Sequence, residues 1–267
     1  MSELYDSIRL THLAATFTSA LGVDAPKGAE SPCDIVLDRL FAEFGESGAD
    51  RVFIYNPDAV ALWLFQKYTE LFKDAILRTQ IQLPILSVMP SVTPVCFASM
   101  YSGVMPEVHG IMRYEKPVLK IKTVFDALAA AGKRCAIVST EGDSISKIFL
   151  ERDIDYYIYP SVEECNEKAL ELIASDEHDF ITLYNGDYDG TMHRNAPEGK
   201  QSIEALKANI AVFSQIYDAI KEKWSGHRTL LGFCPDHGCH EIDGGAGSHG
   251  LDMQEDMNII HRFSCIK

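Results

Sequence analysis

Residues 161–184 read SVEECNEKALELIASDEHDFITLY. Residues 161–175 place apolar side chains at helical spacing, and DFITLY (179–184) is a short apolar run rich in β-branched and aromatic residues. A helix handed directly to a buried strand is the repeating half of a βα chain. The same order recurs upstream in KTVFDALAAAGKRCAIVST (122–140), where Gly132 ends the helix. It recurs downstream in SIEALKANIAVFSQIYDAIKEKW (202–224), followed by TLLGFC (229–234). Further out, RVFIY (51–55) reads as a strand leading into an amphipathic helix, VALWLFQKYTELFKDAIL (60–77). LPILSV (83–88) reads as another strand, and VCFASMYSG (95–103) as a short helix stopped by Gly103. The alternation predicts an α/β fold, a mostly parallel central sheet with helices on both faces. Residues 1–50, with Gly and Pro between Gly22 and Pro32, read as an N-terminal helical extension before a domain of residues 51–267. No internal repeat or low-complexity tract interrupts the pattern.

Composition narrows the function. The 267 residues are enough for one sizeable core, and the formal net charge is −15. So acidic a surface argues against a nucleic-acid polymer as partner, because that affinity rests on Lys and Arg meeting phosphates. An anionic substrate would need a local positive centre, and metal ions are the simplest one. MSELYDSIRLTHLAATF has no basic stretch followed by an apolar run, so no signal peptide is expected. No run of about 18 apolar residues predicts a membrane span. The seven cysteines, odd in number and scattered from Cys33 to Cys265, do not read as a disulfide framework. A reducing cytoplasm is the expected location. Oligomeric state is not legible.

In parallel α/β sheets ligands collect at the carboxyl ends of the strands. Asp58 follows RVFIY, and Thr93 follows LPILSV. Asp189 and His193 follow DFITLY, and Asp236 and His237 follow TLLGFC. His249 stands in the same glycine-rich stretch, CPDHGCHEIDGGAGSHG (234–250). Carboxylates and imidazoles are the ligands of zinc and similar divalent ions, and there are enough here for two. Two metals about 3.5–4 Å apart clamp the attacking and leaving oxygens of an in-line displacement. Thr93 stands at an expected helix start, where backbone donors and the dipole favour an anion. A threonine hydroxyl beside a metal becomes an accessible nucleophile. The combination suits phosphoryl transfer through a phosphothreonine.

Four segments carry a family resemblance. PSVTPVCFASMYSGVMPEVHGI (90–111) resembles the nucleophile segment of the nucleotide pyrophosphatase/phosphodiesterase branch of the alkaline phosphatase superfamily. DGTMHRNAP (189–197) is similar to that family's D-x-x-G-H-x-x-G-P, with Met192 and Ala196 in place of glycines. PDHGC (235–239) resembles S-D-H-G-M, and GSHGLDMQEDMNIIHRF (247–263) the closing segment. The resemblance covers residue 51 onward and implies an alkaline phosphatase-like catalytic domain there. It implies Thr93 as nucleophile, with Asp189, His193 and His249 on one metal. Asp58, Asp236, His237 and the Thr93 oxygen would hold the other. The family usually has Asp-Gly directly after the first strand, whereas this chain reads YNPDAVALW. Asp58 is the better ligand for a hard divalent ion, and Asn56 is the alternative. The implied cofactors are two divalent ions, zinc first, with manganese or iron as alternatives. The implied partner is a small phosphate ester.

The chain departs from the family at Tyr114. An Asn that contacts a phosphoryl oxygen is common there; a phenol can still donate a hydrogen bond, so Tyr114 is a candidate substrate contact. No inserted cap domain is apparent, so recognition of the leaving group falls to short loops or a partner subunit. Simpler readings apply to other residues: His240 as a solvated loop histidine, His109 as packing at a helix end, Cys234 and Cys239 as packing beside the Asp-His-Gly. A sulfatase is excluded, since TPVCF lacks Pro and Arg at the required spacing. A phosphonate hydrolase, a phosphosugar mutase and an inactive metal-stabilised binding protein stay open.

Overall fold

A computed structural model describes residues 8–267. The first seven residues, and with them the start of the N-terminal extension, lie outside the described residues. In chain order the elements begin with α1 (His12–Ala20), α2 (Asp34–Phe44), β1 (Arg51–Pro57), α3 (Leu62–Lys67), α4 (Lys73–Arg78), β2 (Ile81–Leu86) and α5 (Thr93–Ser102). Next come α6 (Pro106–His109), α7 (Val124–Ala130), β3 (Cys135–Thr140), α8 (Ser144–Ile148), β4 (Asp155–Tyr159), α9 (Val162–Ser175), β5 (Phe180–Asn185) and α10 (Asp187–Asn195). The chain closes with α11 (Lys200–Lys223), β6 (Thr229–Phe233), β7 (His240–Ile242), β8 (Ala246–Ser248), α12 (Gln254–Met257) and β9 (Asn258–Ile266).

Seven strands form one sheet in the order β2-β9-β6-β1-β5-β3-β4. The strands β6, β1, β5, β3 and β4 run parallel. β9 is antiparallel to both β6 and β2. The central strands are buried on both faces, which explains their continuous apolar runs. Along β1, Val52 and Ile54 enter one core with α1, α2, α5 and α7. Phe53 and Tyr55 enter the other, with α9 and α11. The period-2 pleat of RVFIY thus feeds two helical layers. Burying each such side chain stabilises by roughly 1.5–3 kcal/mol.

The structure differs from the sequence reading at two of the expected elements. The helix expected over 60–77 is broken into α3, a 3₁₀ turn at Thr69–Phe72, and α4. The Thr69 hydroxyl bonds the Phe65 and Gln66 carbonyls at 2.9 and 3.2 Å, offering the backbone an alternative to the helical ladder. LPILSV does form a strand, but an antiparallel edge strand, where Pro84 leaves no inner ladder position without its donor. Gly103 ends α5 as expected, at φ 79°. A Cβ there would lie 2.5 Å from Ala29 Cβ, so conformation and space both require glycine.

Candidate active site

Strand ends, α5 and the loop after β8 converge at one edge of the sheet. β1 is hydrogen-bonded between β5 and β6, so residues just beyond these three strands become neighbours. Asp58 leaves β1, and Asp236 and His237 leave β6; all are fully buried. Thr93 opens α5 with Val92 as N-cap, and Gly103 is its C′ residue. The helix therefore points its positive dipole end at this edge. Asp189 and His193 sit one turn apart on α10, on a single helical face.

Two ligand groups result. Asp58, Asp236 and His237 form one, and Asp189, His193 and His249 the other. In the first, His237 Nε2 lies 3.3 Å from Asp58 Oδ1 and 3.4 Å from Asp236 Oδ2. Thr93 Oγ1 is 3.2 Å from the same nitrogen and 3.5 Å from Asp58 Oδ2. In the second, Asp189 Oδ1 lies 3.3 Å from His193 Nε2 and 3.5 Å from His249 Nε2. The His237 and His249 rings stack at a centroid separation of 4.0 Å, joining the two groups.

Hydrogen bonding on the outside of each ring fixes its tautomer. Nδ1 of His237 meets Gly238 O at 2.9 Å, that of His193 meets Gly247 O at 2.9 Å, and that of His249 meets Ser91 O at 3.0 Å. A carbonyl only accepts, so each Nδ1 carries a proton and each Nε2 is the ring nitrogen turned inward. That is how metal-binding imidazoles are oriented.

The carboxylates show the complementary feature. Asp58 Oδ1, Asp189 Oδ1 and Asp236 Oδ2 are buried without a hydrogen-bond donor. Buried polar atoms are ordinarily satisfied. Burial, then the Asp58 charge, pushes the Asp236 carboxyl well above the usual carboxylate range. Burial and the Asp189 charge raise Asp58 as well. Burial, then neighbouring His237, lowers His249 to about 3. Inward ring nitrogens and orphaned carboxylate oxygens are a donor set that fits divalent cations. The first group is fully buried, whereas in the second Asp189 and His249 are half-buried and His193 is exposed.

Asn56 is turned away from the groups: its Nδ2 donates to Cys234 O at 2.7 Å, and its Oδ1 accepts from Tyr101 and Thr182 at 2.6 and 2.8 Å. The amide is consumed under the site, and Asp58 is the residue beside His237. Asp187 starts α10 and is absent from both groups. Tyr114 is 59% exposed, with Lys116 Nζ 5.2 Å from its ring centroid. His109 is buried, with Nε2 2.9 Å from Ser99 Oγ. Cys234 and Cys239 are free and buried in the core, as are all seven thiols.

Two features escaped the sequence reading. Tyr184, the penultimate residue of β5, donates its hydroxyl to Asp58 Oδ2 at 2.5 Å. It also lines a cleft of about 450 Å³ with Glu141, Asp143, Glu163 and Asp187. An aromatic near a strand's end carries no sequence signal for either position. His240, read as solvated, is instead paired with the buried Asp256 at 2.7 Å.

No protein-family model matches the chain, and no curated protein matches it by sequence. Solved structures do. Murine ectonucleotide pyrophosphatase/phosphodiesterase 5, as an inactive variant in complex with AMP, superposes with a TM-score of 0.59 at 15% identity, covering 73% of this chain. The human protein gives 0.59 at 17% identity over 72%. Phosphonoacetate hydrolase from Sinorhizobium meliloti, in complex with phosphonoformate, gives 0.52 at 19% over 73%. The chain spans 58–59% of the length of these structures. At such identities the likeness concerns the fold alone.

Proposed function

We propose that this chain is a metal-dependent hydrolase of small phosphate esters, working through a phosphothreonine on Thr93. The observation that carries the proposal is the Thr93 hydroxyl, 4% exposed, at the positive end of α5 and 3.2 Å from the inward nitrogen of His237. Asp58, Asp236, His237 and the Thr93 oxygen would hold one divalent cation, and Asp189, His193 and His249 the other, with zinc first and manganese or iron as alternatives. When bound, the cations supply Lewis acidity at phosphoryl oxygens and make a hydroxyl or water beside them more acidic.

The residues define the order of bonds. Thr93 Oγ1 attacks phosphorus in line, forming Thr93 O–P while the bond from phosphorus to the ester oxygen breaks. The proton given up by the Thr93 hydroxyl balances the one taken up by the ester oxygen as it departs as the alcohol. A water oxygen then displaces Thr93 from phosphorus and restores the hydroxyl. Two inversions give net retention. Tyr184 holds Asp58 from behind, and the three backbone carbonyls hold the imidazoles, so little reorganisation is needed on binding. The partial positive charge of the α5 N-terminus helps an otherwise acidic protein accept an anionic ester.

The fold neighbours support the reaction class, because one is named for nucleotide pyrophosphates and diesters and another for a phosphonate. In this reading residues 51–267 form the catalytic domain, residues 1–50 extend it, and Tyr114 contacts the substrate. Free, buried thiols suit a cytoplasmic location; among the described residues no helix is long and apolar enough to cross a membrane. The test is turnover of p-nitrophenyl phosphate, bis(p-nitrophenyl) phosphate and phosphonoacetate with added zinc or manganese. Thr93→Ala should lose about a hundredfold or more in rate while retaining bound metal. Normal turnover by that variant would refute the proposal, and cleavage of phosphonoacetate alone would move the substrate to phosphonates.

A further inference from the structure

Asp256 belongs to neither ligand group, yet it is fully buried and every one of its polar atoms is engaged. Its Oδ1 lies 2.7 Å from His240 Nδ1, and its Oδ2 accepts the Leu251 N–H at 2.9 Å. Its backbone carbonyl accepts the Gly238 N–H at 2.7 Å. These partners lie in two separate segments, and each segment delivers one imidazole: residues 236–240 carry His237, and residues 249–253 carry His249.

The approach of the segments is tight. A Cβ on Gly238 would stand 2.0 Å from Glu255 O and 2.9 Å from Ala61 Cβ, so only glycine lets the chain on either side of Asp256 close on the strand end. Leu251 and its neighbour Asp252 are otherwise exposed. Besides the Asp256 clamp, the Leu251 carbonyl accepts the Met253 N–H at 2.9 Å within the same loop, and its polar contact to the rest of the fold is 3.5 Å from Ser91 Oγ. An apolar residue would staple the fold without the cost of burying an ion. A carboxylate instead engages both partners at once, with directional bonds.

Resting on the two-metal reading above, we infer that Asp256 is a positioning residue that holds the His249 loop against the His237 segment and so fixes how the two half-sites sit relative to each other. Loss of its carboxylate releases Leu251, two residues past His249. His237 keeps its own tether to Gly238 O. His249 keeps its Ser91 O tether as well. The 236–240 segment, however, also retains the Gly238 N–H bond to the Asp256 backbone carbonyl, whereas the loop past His249 loses its Leu251 N–H anchor. The effect therefore falls mainly on the His249 half-site.

The test is calorimetric zinc titration of the full chain, with cobalt(II) absorption as a spectroscopic readout of ligand geometry. His237→Ala and His249→Ala assign the two binding steps. Asp256→Ala should leave the His237 step unchanged and weaken the His249 step by about 10–100-fold, the usual scale for an outer-shell partner. Asp256→Asn, which still accepts from Leu251, should restore most of that loss and the wild-type cobalt band. Equal weakening of both steps, no weakening, or an Asn variant no better than Ala would overturn the inference. If Asp256→Ala fails to fold, His240→Ala removes one arm of the clamp. A several-fold loss confined to the His249 step then supports the inference, and any other pattern overturns it. Wild-type chain that binds no zinc refutes the two-metal reading itself, and the inference with it.

Discussion

Replacing Asp236 with Asn should stabilise the metal-free chain while removing most of its response to metal. The ligand oxygens of Asp58, Asp236 and His237 lie within 4.8 Å of one another, and Asp58 and Asp236 are fully buried. Two carboxylates at that distance repel by roughly 3 kcal/mol at an effective dielectric constant of 20. Without a cation, the folded chain meets this cost as repulsion or as proton uptake. An amide of the same shape avoids both and preserves the packing around Ala59, whose N–H faces Asp236 Oδ1 at 3.5 Å. For a domain of this size, about 3 kcal/mol corresponds to a midpoint shift of roughly 5–10 °C. Thermal unfolding at pH 8 in chelator should therefore show Asp236→Asn melting above wild type. Zinc at a thousandfold excess over its dissociation constant should add about 4 kcal/mol to wild type and far less to the variant, reversing the order. A variant that melts below wild type in chelator, or gains as much from zinc, would refute the view of these carboxylates as a metal cage.

Asn56→Leu tests the network beneath the site. It orphans the Cys234 carbonyl and leaves the Tyr101 and Thr182 hydroxyls, 2.6 Å apart, with only each other, costing about 2–4 kcal/mol with metal stoichiometry unchanged; loss of metal in a folded variant would return Asn56 to the ligand set. A third prediction concerns acid. His109 Nδ1 accepts the Ile111 N–H at 3.2 Å, so the ring is held neutral, and burial lowers its pKa to about 4. Buried His261 is lowered to about 4 in the same way. Both contributions are present above the unfolded value near 6.5 and are lost as pH falls from there through 4. His109→Gln should flatten the decline of denaturant stability between pH 6.5 and 4 by about 2 kcal/mol; an unchanged slope would contradict the assignment.

The fold was readable where residues are buried on both faces. RVFIY and DFITLY are uninterrupted because each sits between two neighbours and under two helical layers. β4, DYYIY, went unread because it is the half-buried edge strand opposite β2, where burial imposes no sharp pattern. The antiparallel course of β9 depends on pairing with distant β2 and β6, which local residues do not encode. α10 carries Gly190, Thr191 and Asn195, poor helix formers, so it too was missed, although the four-residue spacing of Asp189 and His193 already suited one helical face. The candidate ligands stood out because carboxylates and imidazoles after apolar strands are unusual. Tyr184 and Asp256 did not, since an aromatic near a strand's end and an acid in a short polar helix are ordinary until the fold sets them beside Asp58 and Leu251.

The central claim is that Thr93 becomes covalently bonded to phosphorus. Acid-quenching the zinc-loaded chain during turnover of a phosphate ester, followed by peptide mass spectrometry, tests it directly. The account predicts phosphate on Thr93 and on no other residue, absent in Thr93→Ala. Steady turnover with phosphate on a different side chain would contradict it.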